Sequence, residues 1–300
     1  MAPESIEQNR LKQYGTIALI MSALLWGGEF VVEKDVLSCV EPNWSNAIRF
    51  FISSIFCLVV WRKEFRQASF LEWKKGIISG GLMGLGFAFQ TMGLEYIGAG
   101  VNAFLSAAYV LVIPFLLWVA KKSRPVILVF VSAVLAIIGV LFMSASDMSF
   151  GEMQLGKGEI LTLIGSVCYA GGIVSVDCYA ADMDSKLMAG IQFIVTFVIS
   201  IVFALCFERI PQDFSGKLAA EFIYLIVFSS LLAQLLFTYG MKYVSSGKAG
   251  IIFLLESVSA LFLGDVFLSE KILITHIIGG ILIISAIVLQ DKAEKQKTDG

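Results

Sequence analysis

Charge is scarce in this chain and histidine almost absent. Only 15% of its 300 residues are charged against 58% hydrophobic, and the mean hydropathy is +0.85, which leaves too little polar surface for a soluble fold. A single histidine, His276, excludes chemistry that needs two imidazoles. There is no H-E-x-x-H helix, no G-x-S-x-G turn and no Walker phosphate loop, so the usual parts of a zinc protease, a serine hydrolase and an ATPase are missing. Five cysteines, Cys39, Cys57, Cys168, Cys178 and Cys206, stand singly and mostly inside apolar runs, without the spacing of a disulfide framework or a thiolate metal site. Enzymatic activity, a metal, a cofactor and a nucleic-acid partner are therefore not expected. The net charge of −2 adds nothing about partners.

What the chain has in abundance is long apolar runs. A membrane span needs roughly 20 mostly apolar residues to cross about 30 Å of hydrocarbon. Ten such runs can be drawn, at about 14–33, 44–61, 76–95, 99–119, 126–143, 158–180, 187–207, 219–241, 247–268 and 272–290. Helices are the economical form, because backbone groups facing lipid must be satisfied within the segment and these runs are too long and uniformly apolar for barrel strands. The first run follows Arg10 and Lys12 as a secretory signal does, but it is long and ends without a small-x-small cleavage site, so it reads as an uncleaved span. The expectation is an all-α integral membrane protein with ten transmembrane helices.

Basic residues are distributed unevenly. With the N-terminus inside, sixteen of the 22 fall at inner positions, five (Lys34, Lys157, Arg209, Lys217, Lys271) at outer ones, and Arg49 within a span. The positive-inside rule then puts both termini on the cytoplasmic side of the cytoplasmic (inner) membrane, with the bilayer as a partner.

A ten-residue phrase occurs once in each half. Thr91-Met92-Gly93-Leu94-Glu95-Tyr96-Ile97-Gly98-Ala99-Gly100 returns 147 residues later as Thr238-Tyr239-Gly240-Met241-Lys242-Tyr243-Val244-Ser245-Ser246-Gly247. Shorter echoes pair Gly27-Gly28 with Gly171-Gly172 and Ile137-Ile138-Gly139 with Ile277-Ile278-Gly279. Five spans per half is an odd number, so the halves would lie antiparallel in the bilayer, as two inverted five-helix repeats of the kind found in secondary transporters. The expected organisation is a cytoplasmic segment 1–13, a first repeat 14–143, an outer linker 144–157, a second repeat 158–290 and a cytoplasmic tail 291–300.

Further phrases run along both halves. In the first they are Trp26-Gly27-Gly28-Glu29-Phe30-Val31-Val32, Arg49-Phe50, Gly93-Leu94-Glu95-Tyr96 and Ala103-Phe104-Leu105. In the second they are Lys242-Tyr243-Val244-Ser245-Ser246-Gly247-Lys248-Ala249-Gly250, Leu255-Glu256-Ser257 through Gly264, and Leu268-Ser269-Glu270. Through these residues the chain resembles, over nearly its whole length, the EamA-type transporters of the drug/metabolite transporter superfamily. The resemblance implies a central cavity that opens alternately to each side, and commonly export of small metabolites, amino acids or drugs. Import or exchange by the same fold, and less readily a membrane-embedded enzyme, are the alternatives. The chain departs from the pattern at Glu29, where many members carry Ser or Asn, and at Ser257, where a proline is usual. Pro114 should kink the fourth span, and its counterpart's loss should leave the ninth straighter.

Polar residues inside spans mark the candidate site, because an ionisable group in hydrocarbon is costly unless it lines a cavity or pairs. At about 1.5 Å per residue, Glu256 lies roughly 14 Å into the ninth span, near the midplane, and is the first candidate for substrate contact and proton coupling; a structural carboxylate is the bland reading. Glu29 lies roughly 22 Å along the first span and Arg49 about 8 Å into the second, at matching depth. They are expected to pair, with Glu33 and Asp35 competing for the guanidinium, either as a static bridge or as an outer gate. As a gate, the pair predicts that Arg49→Ala slows transport and leaves insertion intact. Trp26, Phe30, Phe87, Phe89, Tyr109, Tyr169 and Tyr239 are candidates to stack on substrate, although most bundle aromatics are packing. Tyr109 and Trp26 lead them, the first because the 147-residue offset pairs it with Glu256. Asp177, Asp265 and His276 read as interfacial, and Gly76, Gly80 and Gly84 as a small-residue packing stripe. Two deep carboxylates against one arginine favour a cationic or zwitterionic small-molecule substrate, such as an amino acid or amine drug, carried by a monomer or homodimer.

Overall fold

A computed structural model of the chain describes residues 3–122, 126–144, 156–212, 215–269 and 272–298, and every regular element among them is helical. The first part of the chain forms α1 (Pro3–Val36), α2 (Pro42–Val60), α3 (Arg62–Gln67), α4 (Phe70–Leu94), α5 (Ala99–Ser106), α6 (Tyr109–Lys121) and α7 (Ile127–Ser144). The remainder forms α8 (Lys157–Tyr179), α9 (Ser185–Phe207), α10 (Gly216–Tyr224), α11 (Gln234–Gly240), α12 (Ser246–Ile252), α13 (Leu254–Leu268) and α14 (Ile274–Thr298). A π-helical segment, Leu225–Ala233, joins α10 to α11 without interruption.

Among the described residues, eight helical stretches are long and apolar enough to cross a membrane: Arg10–Val36, Pro42–Val60, Phe70–Leu94, Ala99–Ala120, Lys157–Asp182, Ser185–Phe207, Gly216–Gly240 and Ser246–Leu268. The chain is a multi-pass membrane protein. The two other expected runs fall on α7 and α14, whose apolar stretches Ile127–Ala136 and Ile274–Ala286 are shorter; these two helices pack on each other. Most of the expected outer linker, residues 145–155, lies outside the described residues, as do Glu270, Lys271 and Arg124.

The helices begin where local chemistry allows. Ser69 and Glu72 form a capping box at the start of α4, each side chain accepting the other's backbone N–H. The N-terminus of α2 is capped from another helix: the Glu208 carboxylate, at the end of α9, accepts the backbone N–H groups of Asn43 at 2.9 Å and Trp44 at 3.0 Å and the Asn43 Nδ2 at 2.6 Å. Burial outweighs these hydrogen bonds and pushes the Glu208 carboxyl above its usual range. Glu208→Ala would strip two helix N–H groups of their acceptor, at about 1–3 kcal/mol. A lowered unfolding temperature in detergent, recovered in large part by Glu208→Gln, is the expected measurement.

At the centre α4 packs against α8 and α9. Its glycine stripe faces α9: a Cβ at Gly80 would come 2.9 Å from Gln192 Cα, and one at Gly84 3.0 Å from Thr196 Cα. Those neighbours are backbone atoms and cannot rotate away, so the stripe is a seam of close helix approach. Gly80→Leu should force the helices apart and leave little monodisperse protein after solubilisation. Wild-type yield and melting temperature for that variant would rule out the seam as a constraint.

The duplicated phrase has one structure in both places: the end of a helix, a turn and the start of the next, linking α4 to α5 and α11 to α12. Just beyond it the following helix is broken in both copies. Ala108 N donates to Leu105 O, and Val110 N to Ala107 O, at 3.1 Å, in tight turns that separate α5 from α6; in the second half Glu256 N donates to Phe253 O at 3.0 Å between α12 and α13. The ninth span is broken without a proline, and the break in the fourth lies upstream of Pro114, which sits inside α6, so proline sets neither position.

Candidate functional site

A cavity opens among α1, α4, α8, α11 and the two broken helices. Of the candidates for substrate contact, Trp26, Glu29, Phe30, Phe87, Tyr109, Tyr169 and Glu256 stand on its wall, together with Met83, Ile173, Gln90, Ser106, Phe237 and Phe253. Phe89 and Tyr239 do not: Phe89 packs on Phe203 and the exposed Tyr239 on Tyr243, with ring centroids 6.1 and 5.3 Å apart.

One side of the cavity is aromatic. Trp26 lies 5.5 Å from both Phe237 and Phe253, which are 5.7 Å from each other, and Phe87 meets Tyr169 edge-on at 5.3 Å. Trp26 is fixed by its indole N–H, which donates to Ser229 O at 3.1 Å. That carbonyl is reachable because Ser229 lies in the π-helical segment, whose wide turns turn backbone groups outward; Ser22 Oγ likewise donates to Ala233 O at 2.9 Å.

Glu29 is held on both oxygens. Its Oε1 lies 2.6 Å from Arg49 Nη2, and its Oε2 accepts from Ser229 Oγ. Arg49 is fully buried behind the wall, its guanidinium 4.5 Å from the Phe50 ring centroid and 5.0 Å from that of Phe87. Glu33 is a second partner rather than a competitor, with Oε2 3.2 Å from Nη1, while Asp35 pairs instead with Lys217. Arg49 thus bridges two carboxylates from successive turns of α1.

Glu256 is different. It is half-buried on the cavity wall, and among the described residues its carboxylate makes no hydrogen bond and no ion pair. Glu29 lines the same cavity. Gly27 lets α1 approach closely here, since a Cβ there would meet Glu256 O at 2.8 Å. Tyr169 donates to Gln90 Oε1 at 2.5 Å, and Asn102 Nδ2 donates to Gln90 O at 3.2 Å and to Thr162 Oγ1 at 2.7 Å.

The other polar candidates lie elsewhere. Asp177 accepts from Ser246 Oγ at 3.2 Å, Asp265 is exposed, and His276 Nδ1 accepts from Leu273 N at 3.3 Å. Gln90, Ser106, Phe237 and Phe253 were not singled out from sequence. The 147-residue offset finds them: Gln90 maps to Phe237, Ser106 to Phe253 and Tyr109 to Glu256, and all six line the cavity.

A family model described as the EamA-like transporter family matches residues 13–145 and again 156–290. A protein of Archaeoglobus fulgidus, described as an uncharacterized transporter, is 27% identical over 281 residues, covering 92% of this chain and 85% of its own length. The uncharacterized transporters YoaV and YvbV of Bacillus subtilis are each 24% identical, over 91% and 95% of this chain and 95% and 94% of their own. One solved crystal structure shares the fold at a TM-score of 0.70 and 16% identity, over 92% of this chain and 95% of that one.

Proposed function

The chain belongs to the EamA-like transporter family, and on that premise we propose that this membrane transporter carries a small organic cation across the cytoplasmic membrane, outward, in exchange for protons. The observation that carries this reading is Glu256, a carboxylate on an aromatic-walled cavity that no group among the described residues engages. Glu29 is already held by Arg49 and Ser229. A carboxylate so placed needs a positive partner, either a proton or a substrate ammonium, and the two compete for the same oxygens. Trp26, Phe237 and Phe253 offer ring faces to that ammonium, a further attraction of about 0.5–2 kcal/mol. Competition at one carboxylate makes the movements of proton and cation mutually exclusive, which is the requirement for exchange.

The cycle proposed is alternating access between two inverted five-helix halves, 14–143 and 158–290, with ten spans and both termini cytoplasmic. Two family matches of similar length, the 147-residue pairing of cavity residues and the paired helix breaks support it. Outward direction rests on the family resemblance alone.

The test is flux into proteoliposomes with an acid lumen, using labelled phenyltrimethylammonium. That cation has no titratable proton, so passive trapping by pH is removed. Saturable accumulation that decays when the gradient is collapsed, and counter-flow when it is absent, are expected. Rates equal to protein-free vesicles, or accumulation indifferent to the gradient, would sink the proposal.

A further inference from the structure

The cavity's two halves have diverged in a way that specifies more than a cation. At each offset pair the first half supplies a neutral polar group, Gln90, Ser106 or Tyr109, where the second supplies Phe237, Phe253 or the Glu256 carboxylate. Ser106 is 2% exposed and lines the cavity, and among the described residues its hydroxyl has no hydrogen-bond partner, which leaves it available to a ligand there. Gln90 is 8% exposed; its Oε1 is taken by the Tyr169 hydroxyl, which leaves the amide N–H groups as the side chain's remaining capacity. Its position is fixed in turn by Asn102 on its carbonyl.

We propose that Gln90 and Ser106, with the Tyr109 hydroxyl, form a neutral donor subsite, so that the preferred cargo is an apolar monocation bearing an uncharged hydrogen-bond acceptor such as an amide or ester carbonyl. The inference rests on the cation reading of Glu256. A substrate carboxylate is disfavoured, because the cavity already carries Glu29 and Glu256 and its one nearby arginine lies behind the Phe87 ring, shared between Glu29 and Glu33. Neutral donors satisfy a carbonyl without demanding a full charge, and a site built to hydrogen-bond a group rejects analogues that lack it. Selectivity should therefore run from aminoacyl amide or ester, through simple amine, to zwitterionic amino acid.

Three probes of one skeleton separate these cases: phenylalaninamide, phenethylamine and phenylalanine, with affinities measured by calorimetry on the purified full-length protein. Phenylalaninamide is expected to bind about tenfold more tightly than phenethylamine, the effect of one or two well-made hydrogen bonds, with phenylalanine weakest. In the Gln90→Leu/Ser106→Ala variant that ratio should fall to about one. Ser106→Ala, which removes a single oxygen, should lower the ratio about threefold on its own and serves if the double variant misfolds. Equal binding of amide and amine to the wild type, a ratio unmoved by either variant, or tightest binding by phenylalanine overturns the donor subsite. If neither cation binds at all, the cation reading of Glu256 fails and the subsite with it, whereas binding of phenethylamine without amide preference sinks the subsite alone.

Discussion

Glu256→Gln should reduce the affinity for an organic monocation by about a hundredfold or more and remove its pH-driven accumulation, while the protein still folds and inserts. The substitution keeps the shape, deletes the charge and turns one of two acceptor oxygens into a donor. Two unit charges 4 Å apart attract by about 4 kcal/mol at the effective dielectric of roughly 20 suited to partly buried sites, close to a thousandfold in binding. Insertion should not suffer, because the native carboxylate takes no part in a hydrogen bond or ion pair among the described residues, so no partner is left stranded. Calorimetry and acid-lumen flux report the two losses separately. A neutral residue at 256 that still supports gradient-driven accumulation would remove this carboxylate from the coupling and shift attention to Glu29.

The helical, multi-pass architecture was readable because hydrocarbon imposes it: a span must be long, apolar and internally hydrogen-bonded. Trp26, Glu29, Tyr109, Tyr169 and Glu256 were legible for a related reason, being polar or amphipathic groups at depths where such groups need a cavity or a partner, and the structure brings them to one wall. Gln90 and Ser106 escaped notice because a neutral amide or hydroxyl in a span is cheap and common; only the offset that paired Tyr109 with Glu256 would have exposed them, applied to the whole chain rather than to one pair. Phe237 and Phe253 escaped because an aromatic among apolar residues says nothing about which way it faces. Other features were out of reach on physical grounds. The π-helical segment has no sequence signal of its own, and its contacts to a serine, a tryptophan and a glutamate on one face of α1 become visible only in the folded chain. The break before Leu254 occurs without proline, so the residue that usually marks a kink was not there to announce it.

Arg49→Met is expected to cost about 3–5 kcal/mol of stability, the usual consequence of stranding buried carboxylates by removing their shared cation. Arg49 has no exposed surface, bridges Glu29 and Glu33, and is flanked by the Phe50 and Phe87 rings, which leaves it little freedom to part and re-form a contact. A moving gate would instead tolerate its loss with only flux reduced. The bridge reading makes a further demand: neutralising the partners as well, in Arg49→Met/Glu29→Gln/Glu33→Gln, should return most of the lost stability, because replacing a whole buried ionic group costs far less than breaking one. Thermal unfolding in detergent decides between them. A melting temperature for Arg49→Met equal to wild type, with flux slowed, would make the Glu29/Arg49 contact a gate. A large fall for Arg49→Met, recovered in the triple variant, would make it the brace that holds α1 against α2 and aims the Glu29 side of the cavity.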